Sequence, residues 1–163
     1  MPIRHFTGST WEPLVGYCRA LRQGPFVWIA GTGPSAPGGG LVAPGEPYPQ
    51  TVRCLEIVKS ALAAMGAGVE HVVRTRMFVS DGSRWAEYGK AHAEVFGRFP
   101  PVSTMVEVKG FVDAGMTVEI EVDAYVPESR PAARAKPAAR AAARPARKAK
   151  KPAARKPKKA RRG

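Results

Sequence analysis

Two β-branched runs stand near the end of the folded part of the chain. Phe99 to Val108 reads Phe-Pro-Pro-Val-Ser-Thr-Met-Val-Glu-Val, and Met116 to Tyr125 reads Met-Thr-Val-Glu-Ile-Glu-Val-Asp-Ala-Tyr. A Gly-containing connection, Lys109 to Gly115, separates them, which predicts strand, loop, strand. In the second run Val118, Ile120 and Val122 alternate with Thr117, Glu119, Glu121 and Asp123, so one face is apolar and the other acidic. Acids two residues apart on a strand lie about 7 Å from one another. The two strands are therefore expected to present Ser103, Thr104 and at least one carboxylate to a common cleft.

Downstream the chain changes character. Residues 130–163 hold fifteen Lys and Arg and no Asp or Glu, the rest being Ala, Pro and a final Gly. The formal charge of +13 thus belongs to this tail, because residues 1–129 carry eleven basic and thirteen acidic residues, a net of −2. We read 1–129 as one domain and 130–163 as a separate basic tail. A domain of that size buries roughly two-thirds of its unfolded surface. Cys18 and Cys54 suggest neither a disulfide framework nor a zinc site and are expected as reduced thiols. The chain shows no signal-type apolar segment and no run long enough for a bilayer span, which points to an intracellular, cytoplasmic protein.

Upstream, Pro2 to Thr7 is expected as a short strand and Gly8 to Pro13 as a turn-rich loop. Residues 16–31 read as a β-hairpin turning at Gln23-Gly24-Pro25 and ending in Phe26 to Ala30. Gly31 to Gly45 is loop, and its glycines do not form a GxGxxG or P-loop pattern between strand and helix. A helix from Pro47–Gln50 to Met65 follows, with Val52, Leu55, Ile57, Val58, Leu62 and Met65 on its apolar face and Gly66 or Gly68 ending it. Residues 70–79 are a strand, with Val73, Thr75, Met77 and Val79 on one face and Val72, Arg74, Arg76 and Phe78 on the other. Two arginines two residues apart on one face suit either an anion clamp or a solvated, salt-bridged face. A second helix covers Arg84 to Phe96, placing Trp85, Tyr88 or Gly89, His92 and Phe96 on one side. His92 reads as a structural histidine, and with His5 and His71 it shows no metal-ligand spacing. No metal and no cofactor is expected.

The order is β-β-β-α-β-α-β-β, an α+β fold with a mixed sheet and two helices on one face. The uncovered face then needs a partner, most simply another subunit.

These stretches, taken in order, resemble the RidA/YjgF superfamily: Gly16-Tyr17, Ile29-Ala30-Gly31, Ala64 to Ala67, Val72 to Thr75, Phe78 to Asp81, Val106 to Val108, and Val118 to Ala124. The resemblance covers residues 3–126. It implies a chorismate-mutase-like homotrimer with ligand clefts between subunits, and hydrolysis of reactive 2-imino or enamine acids to 2-keto acids and ammonia. Carried over by position, Tyr17 and Gly31 line the cleft and Glu119 orients the attacking water. The family's carboxylate-binding Arg is missing. Counted back from Val106-Glu107-Val108, Ser103 holds its place, followed by Thr104, and Gly89 replaces an Asn-like position in the second helix. A Ser hydroxyl offers one neutral hydrogen bond where guanidinium offers a bidentate, charge-assisted pair. The chain thus looks like an Arg-lacking branch, in which Arg74 or Arg76 could supply the charge.

Two functional readings stay open. One is a Rid-like hydrolase of a small imine, enamine or carbonyl compound; the other is a non-catalytic trimer that binds a metabolite. Ribonuclease chemistry ranks below both, since no paired His or Lys-His arrangement is visible. The tail repeats Pro-Ala-Ala-Arg at 131–134, 137–140 and 152–155, and its prolines, charge and low hydropathy predict disorder in isolation. Arg147, Lys148, Lys150, Lys151, Arg155, Lys156, Lys158 and Lys159 are its candidate phosphate contacts. The tail lacks aromatics, so the expected binding to DNA or RNA is non-specific and salt-dependent, with nucleoid association as its cellular counterpart.

Overall fold

Six strands form one sheet in the order β1-β2-β3-β6-β4-β5 in the computed structural model, which describes residues 1–127. The strands are β1 (Ile3–His5), β2 (Ala20–Gln23), β3 (Phe26–Thr32), β4 (Val72–Val79), β5 (Val102–Glu107) and β6 (Val118–Tyr125). The helices are α1 (Trp11–Val15), α2 (Pro47–Ala64) and α3 (Trp85–Phe96). Every pairing is antiparallel except β4 with β5. Parallel neighbours need a crossover, and α3 supplies it. The α+β class, the mixed sheet and the two long helices are as expected.

The expected adjacency of the last two strands is corrected. β4 lies between β6 and β5, pairing antiparallel with one and parallel with the other. The connection after Glu107 therefore runs past the C-terminal end of β4, where Val108 N–H donates to the Val79 carbonyl and Ser80 N–H to that of Thr117, rather than making a hairpin. The segment expected as loop around Trp11 also differs, because Trp11–Val15 is a short helix. Gly16, at φ +82°, ends that helix in the left-handed region, and its N–H donates to the Glu12 carbonyl at 2.9 Å. A glycine adopts this conformation without the clash a Cβ brings.

α2 begins with Pro at its first turn, where a missing N–H costs no helical bond, and Gly66 at φ +68° follows its end. It buries Cys54, Leu55, Val58, Ala61 and Leu62 against β3 and β6. Each fully buried Leu or Val is worth about 1.5–3 kcal/mol. From the sheet come Val27, Ile29, Met77, Val79, Val118, Ile120 and Val122, and from α3 Tyr88 and Phe96. Trp85, expected beside them, is 65 % exposed. It is the first residue of α3 and precedes the turn that meets the core.

β4 carries a register shift against β6 between Val72 and Arg74. The irregularity moves Val72 into the core and leaves Val73 exposed, the reverse of strict alternation. A bulge changes which side a residue faces.

Opposite the helices, the sheet is open. Phe26, Trp28, Val102, Val106 and Tyr125 are all exposed there. Phe26 packs on Trp28 and on Tyr125, with ring centroids 5.9 and 5.5 Å apart. Glu119, Glu121 and Asp123 project to this face, because their neighbours Val118, Ile120 and Val122 point into the core. The residues of the basic tail, including all eight candidate phosphate contacts, lie outside the described residues.

Candidate active site

The site is built where β3 bends against β6. The pairing runs regularly from Phe26↔Tyr125 to Ile29↔Val122, then shifts between Ile29 and Thr32. Gly31 sits in that irregular step. A Cβ on Gly31 would stand 2.6 Å from Glu119 Oε1 and 3.0 Å from its Cδ. Glu119 thus lays its carboxylate against the bare Cα of Gly31, a seat no other residue could provide without moving it.

Glu119 is half-buried. Burial and the neighbouring Glu121 carboxylate raise its pKa above the ordinary carboxylate value, while Arg19 pulls the other way. A carboxylate raised toward neutrality is a better proton acceptor at physiological pH than an ordinary one. Tyr17 joins the cluster through Arg19. Arg19 Nη2 donates to Tyr17 OH at 3.1 Å, and Nη1 donates to the Gly31 carbonyl at 2.7 Å and to Thr32 Oγ1 at 2.9 Å. So the structure brings Tyr17, Gly31 and Glu119 together, with Arg19 as the group that links them. Arg19 was not visible as a site residue in the sequence. A single Arg at the foot of a strand looks like any solvated charge, and only its 9 % exposure sets it apart.

Ser103 and Thr104 are not brought together. The β4–β5 register pairs Thr75 with Ser103 and Arg76 with Thr104. Ser103 accordingly joins the helix side, accepting from Thr75 Oγ1 at 2.9 Å, and that hydroxyl also lies 2.9 Å from His92 Nε2. Thr104 shares the open face with Arg76 and Glu121. The positions from which β5 could aim a cation along Glu119's face are therefore 102, 104 and 106, held by Val, Thr and Val. His92 has the structural role expected of it. Burial lowers its pKa, which favours the neutral ring.

Arg74 and Arg76 also divide. Arg76 is tied to Asp123 at 3.0 Å and to Glu121 at 3.4 Å, a salt-bridged arginine on the sheet surface. Arg74 is exposed and forms none of the ion pairs among the described residues. An open depression of about 500 Å³ is lined by Cys18, Trp28, Arg76, Glu121 and Asp123 among others, but not by Tyr17, Gly31 or Glu119. It borders the Glu119 cluster rather than containing it. The chemistry of the Glu119 cluster, not the size of the hollow, marks the candidate site.

The thiols are free. Burial pushes the Cys54 thiol up, with the Glu119 carboxylate adding to the shift, so it is held as the protonated form. Among the described residues no group of His, Cys, Asp and Glu is arranged to hold a metal ion, and no helix is long and apolar enough to cross a membrane.

The model of the family described as Endoribonuclease L-PSP matches residues 7–126. The chain belongs to this family, the RidA/YjgF superfamily. A Streptomyces coelicolor protein is 38% identical over 119 residues, covering 73% of this chain and 88% of its own. A RutC family protein of Pyrococcus horikoshii is 32% identical over 120 residues, covering 74% and 94%. Among solved structures, a Mycobacterium tuberculosis member of the YjgF/YER057c/UK114 family is 43% identical with a TM-score of 0.71, covering 77% of this chain and 100% of that one. The matched span holds every element that builds the Tyr17–Gly31–Glu119 cluster.

Proposed function

We propose that this RidA/YjgF protein binds a small imine, enamine or carbonyl compound beside Glu119 and hydrolyses the imine form. The seating of the Glu119 carboxylate on Gly31 carries this reading. That contact holds a half-buried base in one place on Gly31, whose carbonyl is bonded through Arg19 to the Tyr17 hydroxyl. In the proposed reaction water adds to the C=N carbon while Glu119 takes its proton. Glu119 returns that proton to nitrogen, giving a carbinolamine. It then takes the hydroxyl proton and passes it to nitrogen as the C–N bond breaks, so that a carbonyl compound and ammonia leave. Glu119 ends the cycle ionised, as it began.

The binding-only reading also has a specific observation in its favour. Val102, Thr104 and Val106 occupy the β5 positions on Glu119's face, and Arg76 of β4 is already paired with Glu121 and Asp123, so β5 itself offers no cation to a substrate carboxylate there. The open apolar face, with Phe26, Trp28 and Tyr125 exposed, supports assembly as a homotrimer in which neighbouring copies cover it and complete the clefts. The fifteen basic residues of 130–163 support non-specific attachment to nucleic acid. The endoribonuclease label of the family is not extended to this chain. His5, His71 and His92 stand on separate elements, and no two of them are arranged as acid and base.

The test is ammonia release from a 2-imino acid generated in situ, using the full chain. Wild type should accelerate release over the uncatalysed rate and Glu119→Gln should not. Equal rates for the two proteins would remove the hydrolase reading, and ligand binding without turnover would favour the alternative.

A further inference from the structure

Arg19 is nine-tenths buried, yet it forms none of the ion pairs among the described residues. Its hydrogen-bond partners are neutral, and the Glu12 and Glu119 carboxylates act on it only through space. Nη1 donates to the Gly31 carbonyl, to Thr32 Oγ1 and, at 3.4 Å, to the Ala30 carbonyl, while Nη2 donates to Tyr17 OH. The guanidinium carbon lies 5.5 Å from the centre of the Tyr17 ring. Burying a cation without a carboxylate in contact is unfavourable unless its donors are well matched. Here the planar fork is matched to a strand end and a tyrosine, and both belong to the candidate cleft.

We propose that Arg19 is a positioning residue of the Glu119 cleft: it fixes the Gly31 carbonyl and the Tyr17 hydroxyl around that carboxylate, and it is the cleft's own source of positive charge. This rests on the cleft reading above. Gly31 is the link, because one side of it is gripped by Arg19 through its carbonyl and the other side seats Glu119. A shift of the strand end would move both groups at once. The charge matters separately. The titratable groups bearing on Glu119 are Glu121 on its own strand, Arg19 from the segment before β2, and Cys54 from α2. Arg19 alone among them is cationic. It therefore opposes Glu121 and burial, and favours the ionised carboxylate that proton abstraction requires. It also offers a field that attracts an anionic ligand to a site whose β5 side has no cation.

Two substitutions separate position from charge. Arg19→Gln keeps amide donors and loses the charge; Arg19→Lys keeps the charge and loses the fork. The measurement is carboxyl-carbon NMR of the full chain carrying labelled glutamate, with Glu119→Gln to assign the resonance, together with the Tyr17 ring-carbon signal. Pyruvate serves as the anionic probe. In Arg19→Gln the Glu119 titration midpoint should rise and pyruvate binding should weaken by roughly tenfold or more, the scale of a lost charge-assisted contact. In Arg19→Lys the midpoint should stay near wild type while the Tyr17 signal moves. Unchanged midpoint and unchanged Tyr17 signal in both folded variants would overturn the proposal. Should Arg19→Gln fail to fold, Arg19→Lys still decides it, since an unmoved Tyr17 signal refutes the positioning role. Because no readout is turnover, the outcome is distinct from that of the hydrolase test. Wild type without imine hydrolysis but with these NMR changes would defeat the hydrolysis and leave Arg19 in its role.

Discussion

Gly31→Ala is the smallest change that should separate the fold from the function. The Gly31 backbone is not in the left-handed region, so an alanine is tolerated by the main chain itself. The new methyl would meet Glu119 Oε1 at 2.6 Å, Cδ at 3.0 Å and Cγ at 3.4 Å. Ordinary contact begins at 3.4 Å, so the carboxylate oxygen must retreat by about 0.8 Å. That oxygen ends a flexible side chain, and pushing it off its rotamer costs about 0.5–1.5 kcal/mol. The loss of stability should therefore be modest, a few degrees in Tm. A displacement approaching 1 Å at the reacting group, by contrast, can cost about a hundredfold in rate. The assay is ammonia release from an in-situ 2-imino acid, with thermal unfolding recorded on the same sample. Glu119→Asp in the Gly31→Ala background shortens the side chain and should relieve the overlap, recovering stability but not rate. A Gly31→Ala protein with wild-type activity would refute the claim that the carboxylate is seated on this glycine. A Gly31→Ala protein that is unfolded would show the contact to be structural instead.

Other consequences follow from the same geometry. Glu12 is buried under the N-terminal loop and accepts from Thr7 N–H, Thr7 Oγ1 and Gly8 N–H at 2.9–3.1 Å. Burial raises its pKa, but these bonds and Arg19 outweigh burial and hold the carboxyl below its ordinary value. A lowered folded pKa means stability that is present above the unfolded value of 4.5 and lost as pH falls through the folded one. Glu12→Gln should thus cost on the order of 1–2 kcal/mol at pH 7 and flatten the acid limb of a Tm-versus-pH curve. Cys18 should react with a thiol reagent in the native protein while Cys54 stays protected until unfolding, as mass spectrometry of labelled peptides would report. Removing residues 130–163 should abolish DNA binding that is measurable at low salt and falls steeply as salt rises. Equal binding by the truncated and full chains in a filter or anisotropy assay would remove the tail from the account.

Much of this was legible in the sequence, and the misses have physical causes. α2 announced itself by its periodic Leu and Val positions, by Pro47 at its start and by Gly66 after its end. The alternation of β6 placed Glu119, Glu121 and Asp123 on one face correctly. What alternation within one strand cannot tell is which strand lies beside it. Proximity in sequence suggested that β5 and β6 pair, but α3 carries the chain across so that β4 lies between them. That same register turned Ser103 toward Thr75 and His92, away from Glu119. The bulge at Val73 inverted two positions of β4, because a single extra residue resets a period of two. α1 is only five residues with a proline inside, below the length at which periodicity speaks. Arg19 was the largest omission. Its importance lies in burial and in partners eleven to thirteen residues away on β3, none of which has a local signature.

The central claim is that Glu119, seated on Gly31, is the base of a Rid-type hydrolytic cleft. Ammonia release from an in-situ 2-imino acid by wild type and Glu119→Gln, with both shown folded, tests it most directly. The account predicts acceleration by wild type and loss of about a hundredfold or more of it in Glu119→Gln, the range of a general base. Acceleration that survives the substitution unchanged would contradict it.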